Sequence, residues 1–177
     1  MTEQQREASQ DAVMTRIGQA VILLHAGDRE EARNRLGDIW TEIGENGEAL
    51  HRCTLAHYMA DAQDDPAEEL AWDLRALQAA DGLRQEHITL PLPQPHAAVR
   101  VFYPSLHLNL AADYVKLRRP DAARIHLARA RAAAGALSDD GYGDGVRAAL
   151  SRLELRLGAG PDRGSRPAPF PGQQESP

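Results

Sequence analysis

Three segments of this 177-residue chain carry the same spacing of small or apolar residues, and that spacing constrains the fold more than anything else. They are Ala32, Leu36 and Ile39; Leu70, Leu74 and Leu77; and Ala123, Leu127 and Ala130. Positions i, i+4 and i+7 fall on one stripe of a helix, so each segment reads as a helix with one face to bury. Each follows a turn: Gly27-Asp28, Asp64-Asp65-Pro66, or Arg118-Arg119-Pro120. A helix that recurs with its entry turn predicts stacked helical hairpins, because a single hairpin cannot cover its own apolar face.

The remaining helices follow from periodicity and punctuation. Val13, Ile17, Val21 and Leu24 predict a first helix over about 5–26, ended by Gly27-Asp28. Asp28 with Glu31 reads as an acidic capping pair opening a second helix that stops at Gly44. A third is expected over about 48–62. A fourth opens at Asp65-Pro66, with Glu68 and Glu69 in its first turn, and is expected to end at Asp81-Gly82. Residues 83–96 read as a Pro-rich insertion, since the alternating prolines from Leu90 to Pro95 remove backbone donors and force extended geometry. The fifth helix resumes near Ala97 or at Pro104, and the sixth runs from Pro120 to Gly135. Asp139 to Gly145 reads as a loop and cap before a last helix bearing Val146, Leu150, Leu153 and Leu157. Residues 159–177 hold several Pro and Gly and little apolar content, and are expected to be disordered. The helical domain is thus 1–158.

Two of these hairpins resemble tetratricopeptide repeats, whose first helix carries a small residue and a large one three positions later, ahead of the stripe on the second. Ala20 and Leu23 precede Ala32, Leu36 and Ile39; Ala111 and Tyr114 precede Ala123, Leu127 and Ala130. The middle pair fits with Ala56 and Met59 if its turn is lengthened by two residues. The stripes stand 38 and 53 residues apart against the family's 34. The resemblance implies an all-α, right-handed stack of about three antiparallel hairpins with a C-terminal capping helix. It further implies a concave face lined by the first helices, here Met14, Ile17, Val21 and Leu24, then Leu50, Cys53, His57 and Ala60, then Ser105, Leu108, Ala112 and Val115. That lining lacks the Lys and Asn set with which the family clamps a terminal carboxylate. It suits a helical or extended segment of another protein instead. The alternative is a regulatory sensor whose groove takes a short peptide or small ligand.

Chemistry-bearing patterns add little. Cys53 and His57 stand four apart, which suits two metal ligands, but no second pair supplies the rest, and no metal, cofactor or catalytic set is expected. His25, His51, His107 and His126 are scattered. The glycines of 139–145 have neither the Lys-Ser/Thr of a phosphate loop nor the closing Glu of a calcium loop. Arg124, Arg129, Arg131, Arg147, Arg152 and Arg156 read as a solvated face rather than a nucleic-acid surface, in a chain of net charge −6. Residues 1–90 hold 8 Arg against 18 acids and residues 91–177 hold 12 bases against 8, an asymmetry that permits head-to-tail self-association. One cysteine, no leader-like segment and no long apolar run predict a cytoplasmic, non-membrane protein.

Overall fold

The computed structural model describes residues 2–89 and 96–158, and among them seven α-helices and one short 3₁₀ turn. The helices are α1 (Glu3–His25), α2 (Arg29–Ile43), α3 (Ala49–Asp61), α4 (Pro66–Thr89), α5 (His96–Lys116), α6 (Pro120–Ala133) and α7 (Gly141–Gly158); the 3₁₀ turn is Ala134–Ala136. The expectation for 159–177 lies outside the described residues, as does that for 90–95. No described helix is long and apolar enough to cross a membrane.

Each helix packs on the next along the chain, while α1 also touches α3 and α5 also touches α7. His57 and Asn109 join α3 to α5. Three apolar clusters follow this order. Ile17, Ala20, Leu36, Ile39, Leu55 and Met59 hold α1, α2 and α3 together; Cys53, Ala56, Ala76, Ala80 and Leu106 hold α3, α4 and α5; Ala111, Leu127, Ala130, Val146, Leu150 and Leu153 hold α5, α6 and α7. Full burial of a side chain such as Leu36 is worth roughly 1.5–3 kcal/mol. Trp40 of α2 and Trp72 of α4 meet edge to face, 5.0 Å between ring centroids, and both pack against the first two clusters.

Turn chemistry fixes the hairpins. Gly27 and Gly44 close α1 and α2 at φ 91° and 61°, backbone that side chains resist. Asp28 Oδ1 accepts from the Glu31 amide at 3.4 Å. Arg33 donates twice to the Ala62 carbonyl and pairs with Asp64, so α2 clamps the α3–α4 turn. Asp65 Oδ1 accepts from the Ala67 amide at 2.7 Å, just inside Pro66. Between α5 and α6, Arg118 takes the left-handed region at φ 58° without being glycine.

Three expectations need correction. Of the middle stripe, Leu70 and Leu77 are only half-buried and Leu74 is 41% exposed; Asp73, Ala76, Ala79 and Ala80 are buried instead. Because α4 lies between α3 and α5, its covered arc admits small residues rather than leucines. Second, α4 does not end at Asp81-Gly82 but runs to Thr89, so 83–89 is helix. Gly82 costs that helix only about 1 kcal/mol against Ala, and its backbone φ is not positive. Third, 141–145 is the first turn of α7, not a loop. Asp140 caps it, accepting from the Gly143 amide at 2.8 Å, and a Cβ on Gly143 would come within 2.0 Å of the Ser138 carbonyl oxygen. The fifth helix takes the earlier of its two expected starts, with Pro104 inside it.

Candidate functional site

The antiparallel pairing of α4 with α5 brings together polar residues that are far apart in sequence. Glu69 and Asp73 lie four apart on α4; Asn109, Asp113 and Lys116 follow the same stripe on α5. Lys116 Nζ donates to both carboxylate oxygens of Glu69 at 2.6 Å and lies 3.6 Å from Asp113 Oδ1. From α3, His57 reaches the same seam: its Nδ1 is 3.3 Å from Asn109 Nδ2 and 3.8 Å from Asp73 Oδ1.

Asp73 and Asp113 are each 1% exposed. Asp73 Oδ1 and both Asp113 oxygens receive no hydrogen bond from a neighbouring donor. Two buried carboxylates side by side cannot both stay charged. Burial first, then the charges of Asp73 and Glu69, push the Asp113 carboxyl up to about 8, against the opposing pull of Lys116. Asp113 therefore keeps its proton at neutral pH. For His57, burial alone would lower the imidazole pKa; the interaction with Asp73 and the nearby Asp61 and Asp73 charges outweigh it and leave the group above its ordinary value. Neighbouring carboxyls of which one holds a proton are acid–base chemistry in form. Buried this deeply they have no access to a substrate, and their effect is to join α4 to α5 beneath a rim formed by His57, Glu69 and Lys116.

Of the lining expected from the sequence, Met14 is 37% exposed, and Val21, Leu24, His57, Leu108, Ala112 and Val115 are half-buried. Ile17 and Cys53 are 1% and 3% exposed, inside the first and second apolar clusters. Burial first, then the charge on Asp73, pushes the Cys53 thiol up to about 12, so it is not a thiolate and not a nucleophile at neutral pH. Cys53 and His57 gather no further ligand: no group of three or more metal-ligating side chains exists among the described residues.

A second polar cluster joins α5 to α6. His107 and His126 face each other with their Nδ1 atoms 3.0 Å apart, and the Tyr114 ring stacks on His126. At that distance one ring donates and the other accepts, which excludes a second proton. Burial, then the His126 and Arg129 charges, holds His107 down at about 4; burial and Arg129 likewise lower His126.

Sequence reasoning passed over Asp73, Asn109 and Asp113. The signal was present: acids at positions 69 and 73 run onto the Ala76–Ala80 stripe, and 109, 113 and 116 form a polar stripe on α5. Comparison with protein-family models, with curated proteins and with solved structures finds no match.

Proposed function

We propose that this chain is a non-enzymatic interaction module that takes a helical or extended segment of another protein along α1, α3 and α5. The observation that carries the reading is the His57–Asn109 contact, which sets α3 beside α5 so that side chains of both can meet one ligand. Along this line Met14 is exposed, while Val21 and Leu24, packed on the first apolar cluster, and Leu108, Ala112 and Val115, packed on the third, are half-buried and keep part of their surface for apolar contact. His57, Glu69 and Lys116 supply a polar point at which an i, i+4 ligand helix would be held in register. The pairwise helix order and the Ala20/Ala32 and Ala111/Ala123 matches support a tetratricopeptide-like stack as the scaffold. The protonated, buried Cys53 and the enclosed Asp73–Asp113 pair argue against an enzyme.

The test is capture of native partners by the tagged full chain, identified by mass spectrometry, then repeated with Met14→Arg and Ala112→Arg. Both variants should lose the captured partner while keeping the helical circular dichroism. Leu74→Arg, an exposed site on α4 outside the lining, should retain it. Retention by both lining variants, or equal loss by the Leu74 variant, would refute the binding face.

A further inference from the structure

We propose that a cleft beside the α2–α3 turn binds a free α-amino acid with a basic side chain. The cleft has a volume of about 710 Å³ and is bounded by the 45–49 turn, by Arg52 one helical turn further on, and by α4 from Gln78 to Gly82. That size falls within the roughly 300–1,000 Å³ of small-molecule sites. None of these residues belongs to the peptide lining, so the inference stands or falls apart from the function proposed above.

Arg52 is the central group. Its Nε is buried and has no hydrogen-bond partner, and its guanidinium forms no ion pair among the described residues. This is unusual because Glu45, Glu48 and Asp81 line the same cleft. Arginine's fork ordinarily closes on a carboxylate wherever one is in reach. Here charges of both signs line one space with no ion pair between Arg52 and the acids, which suits a molecule that carries both. The end of α3 adds to the positive side. Its N-cap, Glu48, makes no side-chain capping bond, and the positive end of the helix dipole lies at this turn.

The charges select the ligand. A carboxylate suits the Arg52 fork at the positive end of α3. An ammonium suits the acids, and Asp81 is already oriented by the Tyr103 hydroxyl, which donates to its Oδ1 at 2.8 Å. Three carboxylates line the cleft with one guanidinium, and His51 Nδ1 lies 3.7 Å from Glu48; the acids remain in excess, and a second cationic group, the side chain of arginine or lysine, would offset them. Asn46 and Gln78 provide amide donors and acceptors at the wall. A polyamine would leave Arg52 without a partner, and a dicarboxylate would be repelled by the acids.

Isothermal titration of the full chain at low ionic strength tests this, with L-arginine and L-lysine each taken to 5 mM, and with L-alanine, spermidine and succinate as comparators. Saturable heat from at least one basic amino acid is expected, with alanine at least tenfold weaker and no saturation by spermidine or succinate. Arg52→Gln and, separately, Asp81→Asn should each weaken binding at least tenfold, with circular dichroism unchanged. No saturable heat from either basic amino acid would overturn the proposal, as would spermidine binding as tightly as arginine. Undiminished affinity in a folded Arg52 or Asp81 variant would do the same.

Discussion

Replacing Asp113 with asparagine should stabilise the protein in alkaline solution and leave it almost unchanged in acid. In the fold the carboxyl is 1% exposed and ionises near 8; in the unfolded chain its ordinary value is 3.8. The folded protein thus holds a proton that the unfolded chain releases between those values. The stabilising contribution of that proton is complete below pH 3.8 and is lost as pH rises through about 8. Each pH unit between the two values costs at most about 1.4 kcal/mol, which sets a ceiling of about 6 kcal/mol at pH 8. Relaxation of the surroundings, expressed as an effective dielectric constant near 20, reduces the expected effect to about 2 kcal/mol. Asparagine is nearly isosteric and does not titrate. Urea unfolding followed by circular dichroism at 222 nm, at pH 4 and pH 8, measures the difference directly. Asp113→Asn should gain about 2 kcal/mol at pH 8 and within about 0.5 kcal/mol of nothing at pH 4. An effect equal at the two pH values, or a loss at pH 8, would show that the carboxyl is not a buried acid holding its proton.

Three further outcomes are expected. His107, held down at about 4 against 6.5 in the unfolded chain, contributes stability present above pH 6.5 and lost as pH falls toward 4. In urea titrations across that range, His107→Gln should lose less stability on acidification than the parent, by up to about 3 kcal/mol. Arg118→Gly should relieve the left-handed backbone at φ 58° and add about 0.5–1 kcal/mol, seen as a Tm higher by a few degrees; a fall in Tm would count against strain there. Cys53, buried and protonated, should resist a thiol-specific reagent in the folded protein and react at once in denaturant, and rapid native labelling would contradict its placement.

What was legible in the sequence divides along a physical line. The stripes of α2 and α6 could be read because each of those helices turns one apolar face to its neighbours, and Ala32, Leu36, Ile39, Ala123, Leu127 and Ala130 are all buried. The middle stripe misled because α4 is covered on two sides. Leucine spacing there picks out residues that are half-buried or exposed, while close approach selects alanines and Asp73. Gly82 and the 141–145 glycines read as helix breakers, yet glycine's penalty of about 1 kcal/mol is smaller than the packing that surrounds it. At position 143 the absence of a side chain is a requirement of the helix start. The seam beneath His57 was hidden for a different reason. Acids on a helix ordinarily face water, and only the pairing of α4 with α5 sets Asp73 against Asp113 and Glu69 against Lys116.

The chain's two tryptophans meet each other at the junction of the first two apolar clusters. Because both rings pack against both clusters, neither the N-terminal nor the middle helices can come apart without uncovering that aromatic pair. A stack of helices in which units touch only their neighbours tends to melt piecemeal. This junction ties the first four helices into one cooperative block, while α6 and α7 are joined to it through α5. Indole emission would therefore report that block alone, whereas ellipticity averages over every helix. Ellipticity lost ahead of the indole transition would locate the weaker end of the molecule at its C-terminal side, and the reverse order would locate it in the tryptophan-bearing block.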